Sequence, residues 1–157
     1  MLSRRHFLAR AAAFAGGASL LAGARAIAAE PEKPFAITVY KSPSCGCCTK
    51  WVDILKANKA LRVSTRDVED VGAIKESVGV PSSLGSCHTA LAGGYAFEGH
   101  VPVDLVLKVL RERPKIAGLA VPGMPAGSPG MEVPGRKDAY DVMAFTRDGK
   151  TRVFAKR

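Results

Sequence analysis

Three of the four cysteines in this 157-residue chain fall within four positions, Cys45-Gly46-Cys47-Cys48, and their flanks constrain the fold that can carry them. Ahead of them, Phe35-Ala-Ile-Thr-Val-Tyr40 is a β-branched and aromatic run bounded by Pro34 and by Ser42-Pro43, which reads as a strand. Behind them, Cys48, Trp51, Val52 and Leu55 recur at offsets of 0, 3, 4 and 7, the spacing of one apolar helix face. A strand thus feeds a cysteine-bearing turn at the start of a helix.

The remaining order follows from composition. Leu61 to Val68 alternates apolar and polar residues as a strand does, and Val71 to Val78 is short and helix-like. Gly79-Val-Pro-Ser-Ser-Leu-Gly85 has the composition of a loop. Cys87 to Leu91 and Tyr95 to Phe97, separated by Gly93-Gly94, predict a hairpin, and Val103 to Arg113 predicts a helix opened by Pro102 and stopped by Pro114. Strand, helix, strand, helix, hairpin, helix is the order of a thioredoxin-like α/β domain, a three-layer sandwich. After it, Gly118 to Gly135 is dense in proline and glycine and predicts irregular structure throughout. Tyr140 to Thr146 and Thr151 to Phe154 predict a closing hairpin around Arg147-Asp-Gly-Lys150. The expected domain therefore spans residues 30–157 and ends in an irregular loop and hairpin extension. A long irregular loop between ordered elements points to function.

Residues 1–29 have another character. Ser3-Arg4-Arg5-His6-Phe7-Leu8 precedes a weakly apolar run rich in alanine and glycine, then Ala26-Ile27-Ala28-Ala29, the layout of an export signal cleaved after Ala28 or Ala29. The paired arginines with Phe7-Leu8 resemble a twin-arginine signal. Gly16, Gly17, Ser19 and Gly23, with Arg10 and Arg25, argue against a stable membrane span, and none is expected after cleavage. Loss of the segment removes four arginines and no acid, lowering the formal charge from +9 to +5. A chain this mildly basic, with no aromatic-interleaved cluster of lysine and arginine, gives no case for nucleic acid as a partner. Export places the protein in the periplasm, where thiols end in disulfides or on metals.

Three readings of the cysteines compete. Cys45 and Cys48 form a C-x-x-C pair where the helix dipole and free amides favour a thiolate, which makes a thiol-disulfide oxidoreductase but leaves Cys47 and Cys87 without work. Four thiolates could hold a structural zinc, although zinc sites usually draw on two separated knuckles and here three ligands crowd together. Copper(I) prefers sulfur and accepts low coordination, and closely spaced thiolates can bridge several ions. Only a metal site employs all four.

The position of Cys87 bears on the choice. If Pro81 began the third strand, Cys87 would lie about 20 Å along it, at roughly 3.3 Å per residue, out of reach of the cluster. If Pro81 to Ser86 is loop, the strand begins at Cys87-His88-Thr89, with a thiol and an imidazole at its mouth. Strand neighbours face opposite ways, so Cys87 and His88 can meet one site only through a bulge or a twisted strand end. His88 and His100 are further candidate ligands, although the plainer expectation for His100 is a surface or capping imidazole. Met124 and Met131, flanking Pro-Ala-Gly-Ser-Pro-Gly, carry thioethers compatible with copper(I). Trp51, Tyr40 and Tyr95 are expected to have no chemical role.

Taken together, Tyr40-Lys-Ser-Pro-Ser-Cys-Gly-Cys-Cys48 with Trp51, Ser86-Cys-His-Thr89, Gly94-Tyr95, Glu98-Gly-His-Val-Pro102, and Val121-Pro-Gly-Met-Pro-Ala-Gly-Ser-Pro-Gly-Met-Glu132 resemble the CopG-type periplasmic copper-resistance proteins. The resemblance covers Phe35 to Phe154. It implies a thioredoxin-like fold and a copper site bridged by Cys45, Cys47, Cys48 and Cys87. The expected partners are copper ions and other periplasmic copper-handling proteins. The expected role is holding copper(I) in copper resistance or homeostasis, as a metal-binding protein first, with delivery to a partner and copper redox conversion as neighbouring roles.

Overall fold

The computed structural model describes residues 33–157, so the export signal expected at 1–29 lies outside the described residues. Within them the chain is mixed α/β, with seven strands in one sheet and three α-helices. Strand β1 (Phe35–Lys41) leads through a turn into α1 (Gly46–Lys56). There follow β2 (Leu61–Asp67), α2 (Val71–Ser77), β3 (His88–Ala92), β4 (Tyr95–Gly99), α3 (Val103–Glu112), β5 (Gly118–Val121), β6 (Asp141–Phe145) and β7 (Thr151–Lys156). The sheet order is β2-β1-β3-β4-β5-β6-β7. The β1/β2 and β4/β5 pairs are parallel and the others antiparallel. Among the described residues no helix is long and apolar enough to cross a membrane.

The side-chain period of two sorts the sheet into two apolar faces. Ile37, Val39, Ala90, Phe97, Leu119, Val121, Val142 and Ala144 pack in one cluster with Trp51, Val52 and Leu55 of α1 and with Leu105, Val106, Val109 and Leu110 of α3. The alternate residues Ala96, Ala120 and Phe145 form a smaller cluster with Val80 and Leu84, the segment following α2. The predicted apolar face of α1 is the one that is buried: Cys48, Trp51, Val52 and Leu55.

The expectation of irregular structure from Gly118 onward is corrected at its start. Gly118–Val121 is a strand whose four residues are all buried. It is short, apolar on both faces and therefore without alternation, so its pattern carries no strand signal and only its neighbours β4 and β6 define it. Gly118 is required by contact: a Cβ there would collide with the Ala96 carbonyl and lie 2.6 Å from the Phe145 ring. Gly118→Ala should therefore destabilise the fold by about 2 kcal/mol, as for other overpacked sites, read as a lower urea midpoint. Because β5 pairs with both β4 and β6, the terminal hairpin continues the main sheet.

Candidate metal centre

Cys45 is the N-cap of α1, with extended backbone, and its sulfur accepts from the Cys48 amide at 3.4 Å. Cys47 and Cys48 occupy the first turn. One strand away, β3 starts at His88, one residue later than expected, because Cys87 lies on a bend. Pro81 precedes a single 3-10 turn, Ser82–Leu84, so the stretch before Cys87 is not strand and Cys87 reaches the cluster.

The four cysteine sulfurs lie within 4.8 Å of one another. Cys47 Sγ is 3.6 Å from Cys45 Sγ and 3.9 Å from Cys87 Sγ. Cys45 and Cys48 are joined as a disulfide, while Cys47 and Cys87 are free thiols. Four thiolates are thus available only after two-electron reduction of the Cys45–Cys48 bond.

Cys87 also belongs to a second group. His88 Nδ1 and His100 Nε2 each lie 3.2 Å from its sulfur. The bend supplies the twisted strand end that lets Cys87 and His88 meet. His100, expected as a surface or capping group, is instead 0% exposed. Its Nδ1 contacts the Pro129 carbonyl at 2.8 Å; with the proton on Nδ1, the Nε2 lone pair faces Cys87. Pro129 belongs to the irregular loop, which is seated on α1: a Cβ on Gly130, at φ +85°, would come within 2.9 Å of the Trp51 amide nitrogen. Backbone contact accounts for this glycine and links the loop to the histidine.

His88 is fully buried between rings, with its centroid 4.5 Å from Trp51 and 5.0 Å from His100. Among the described residues its Nε2 has no hydrogen-bond partner, a buried polar atom that calls for one. Trp51, expected to be core, donates its indole N–H to the Val101 carbonyl at 2.9 Å. Met124 is 41% exposed in a left-handed turn, and Met131 closes the loop through its backbone. Neither thioether enters a hydrogen bond among the described residues.

Burial sets the protonation states. Desolvation, reinforced by the neighbouring Cys47, pushes the Cys87 thiol up to about 12. It is protonated at neutral pH, and a metal must displace that proton. Desolvation also lowers His88 to about 3 and lowers His100, with the imidazole neighbour adding to the first shift. Both rings are neutral donors. Below pH 6.5 the unfolded chain binds a proton at His88 that the folded chain refuses until about pH 3, so this group's stabilisation is lost as pH falls through that window. Unfolding of the metal-free protein should steepen there by up to about 1.4 kcal/mol per pH unit, a slope that His88→Phe flattens.

Glu98, Lys75 and the Pro129 carbonyl carry no role that residue type or spacing announces. The one available signal was an acid, Glu98, inside the otherwise apolar run Tyr95-Ala-Phe-Glu.

Residues 84–131 match the family described as "Protein of unknown function, DUF411". Two solved structures are similar over the length of the domain. "Copper resistance protein copG- Form 2" is 47% identical with a TM-score of 0.75, covering 80% of this chain and 99% of that one. "Copper resistance protein copG- Form 1" has the same identity and TM-score, with 98% of its chain covered. Curated proteins give no match.

Proposed function

The chain belongs to the CopG-type copper-resistance family, and from that premise we propose that it is an exported protein that holds copper(I) on a cysteine-bridged site. One observation carries the reading: four sulfurs lie within 4.8 Å of one another, and one of them also touches two neutral, buried imidazoles. Soft sulfur donors packed this closely suit copper(I), and sharing a sulfur between ions suits more than one. Cys45, Cys47, Cys48 and Cys87 would supply thiolates, and His88 and His100 neutral nitrogen. The thioredoxin-like assignment belongs to the same reading, supported by β1 feeding the cysteine turn of α1 and by β3 beside β1. Export by the twin-arginine route rests on residues 1–29.

Loading the full set needs two electrons and two protons to open the Cys45–Cys48 disulfide, after which each bound copper(I) displaces thiol protons. Copper resistance would follow from withholding ions from other targets. Anaerobic titration with copper(I) tests this: reduced protein should bind more copper, and more tightly, than the disulfide form. Equal titration curves for the two forms would refute it.

The disulfide itself favours a second reading, a thiol-disulfide oxidoreductase. It joins the pair that the C-x-x-C spacing singles out, at the N-terminus of α1. That reading requires disulfide-exchange activity, for example reduction of insulin, which survives Cys47→Ser and Cys87→Ser.

A further inference from the structure

On the face of the sheet opposite His88 lies a buried polar group with no part in the chemistry above. Thr89 and Glu98 are direct cross-strand partners in β3 and β4, while their neighbours Ala90 and Phe97 point into the α1/α3 cluster. The Glu98 side chain is 0% exposed, and an isolated buried carboxylate is costly unless paired and hydrogen-bonded. Glu98 is fully provided for. Its Oε1 accepts from Lys75 Nζ of α2 at 2.5 Å and from the Ser86 amide at 2.6 Å, and its Oε2 accepts from the Thr89 hydroxyl at 2.6 Å. Lys75 Nζ also donates to Thr89 Oγ1 at 3.1 Å.

Ser86 and Thr89 flank Cys87-His88. A continuous strand would send Cys87 to the Glu98 face, away from His88. The chain instead bends at Cys87, so thiol and imidazole meet at 3.2 Å. The residues on both sides of that bend are tied to the two oxygens of one carboxylate. Gly99, next in sequence to Glu98 and at φ +69°, gives the returning chain room: a Cβ there would collide with the Ser86 side chain.

We propose that Glu98 is a positioning residue for the metal centre, its carboxylate stapling Ser86 to Thr89 and so fixing the bend that turns Cys87 and His88 to one point. The inference rests on Cys87 being a metal ligand, but its first test needs no metal. In the metal-free disulfide form, Cys47 and Cys87 are the free thiols, and their alkylation by iodoacetamide can be followed separately by peptide mass spectrometry. Loosening the staple exposes one and spares the other. Glu98→Gln should speed Cys87 alkylation about tenfold while leaving Cys47 within about twofold. Thr89→Val, which removes one of the three donors, should act in the same direction by about threefold. A second arm titrates reduced Glu98→Gln with copper(I), where affinity should fall about tenfold or more.

An unchanged Cys87 rate, or equal acceleration of both thiols as general loosening would give, overturns the proposal. If Glu98→Gln fails to fold, the ratio of the two rates in Thr89→Val decides alone. A shifted ratio with an unchanged copper titration would leave the staple as architecture alone and overturn the positioning role, while Cys87 keeps its place in the ligand set. A wild-type protein that binds no copper(I) fails in the second arm whatever the alkylation rates show, so the two failures are distinguishable.

Discussion

Cys87→Ser is expected to abolish tight copper(I) binding by the reduced protein, either losing at least one ion of stoichiometry or weakening affinity by at least about a hundredfold. The size of the effect follows from position. Cys87 Sγ is the atom shared by the four-sulfur group and the Cys87, His88, His100 group. Among the described residues, Cys87 is the member these two donor groups share, so removing its sulfur separates them. The hydroxyl that replaces it is a hard, neutral ligand for a soft ion. Cys47→Ser should do less, because Cys47 belongs to the sulfur group alone. Anaerobic titration against a competing copper(I) chelator measures both variants, with a thiol count confirming reduction. A Cys87→Ser protein that titrates like wild type would remove the residue from the ligand set and the proposed site with it.

The largest stability effect is expected at Trp51. The side chain is 0% exposed, packs in the α1/α3 cluster, bonds the Val101 carbonyl and lies against His88. Trp51→Ala should cost about 3–5 kcal/mol, since it removes a large apolar group and leaves a cavity beneath the centre. Trp51→Phe keeps most of the buried ring but orphans the Val101 carbonyl, and should cost about 1–3 kcal/mol. Denaturant unfolding of the metal-free protein reads both. A loss below about 1 kcal/mol for the alanine variant would contradict the packing described. Because Gly130 rests on the Trp51 backbone and Pro129 holds His100, the damage should extend to the loop and the imidazole it orients.

Much of this protein was written locally. β1 and α1 were legible because their residues repeat with the periods of strand and helix, and Cys48, Trp51, Val52 and Leu55 are buried as that spacing requires. The loop before Cys87 was legible from Gly79, Pro81 and Gly85. β5 was not, since four buried residues flanked by glycine and proline show no period. His100 was mistaken for a surface or capping imidazole because the Pro129 carbonyl that holds it comes from a loop 29 residues away. Glu98 stood out only as an acid in an apolar run, and its three donors come from residues well separated in the chain.

The sequence by itself determined which candidate donors the chain carries and the turn that holds three of its sulfurs, because residue type and short-range spacing are local properties. Only the tertiary structure decided that Cys45 and Cys48 pair, that Cys87 meets both histidines, and that a carboxylate on the far face of the sheet accepts hydrogen bonds from Ser86 and Thr89 on either side of their bend. Those outcomes depend on strand register and on which buried groups find partners, and neither is fixed until distant segments pack.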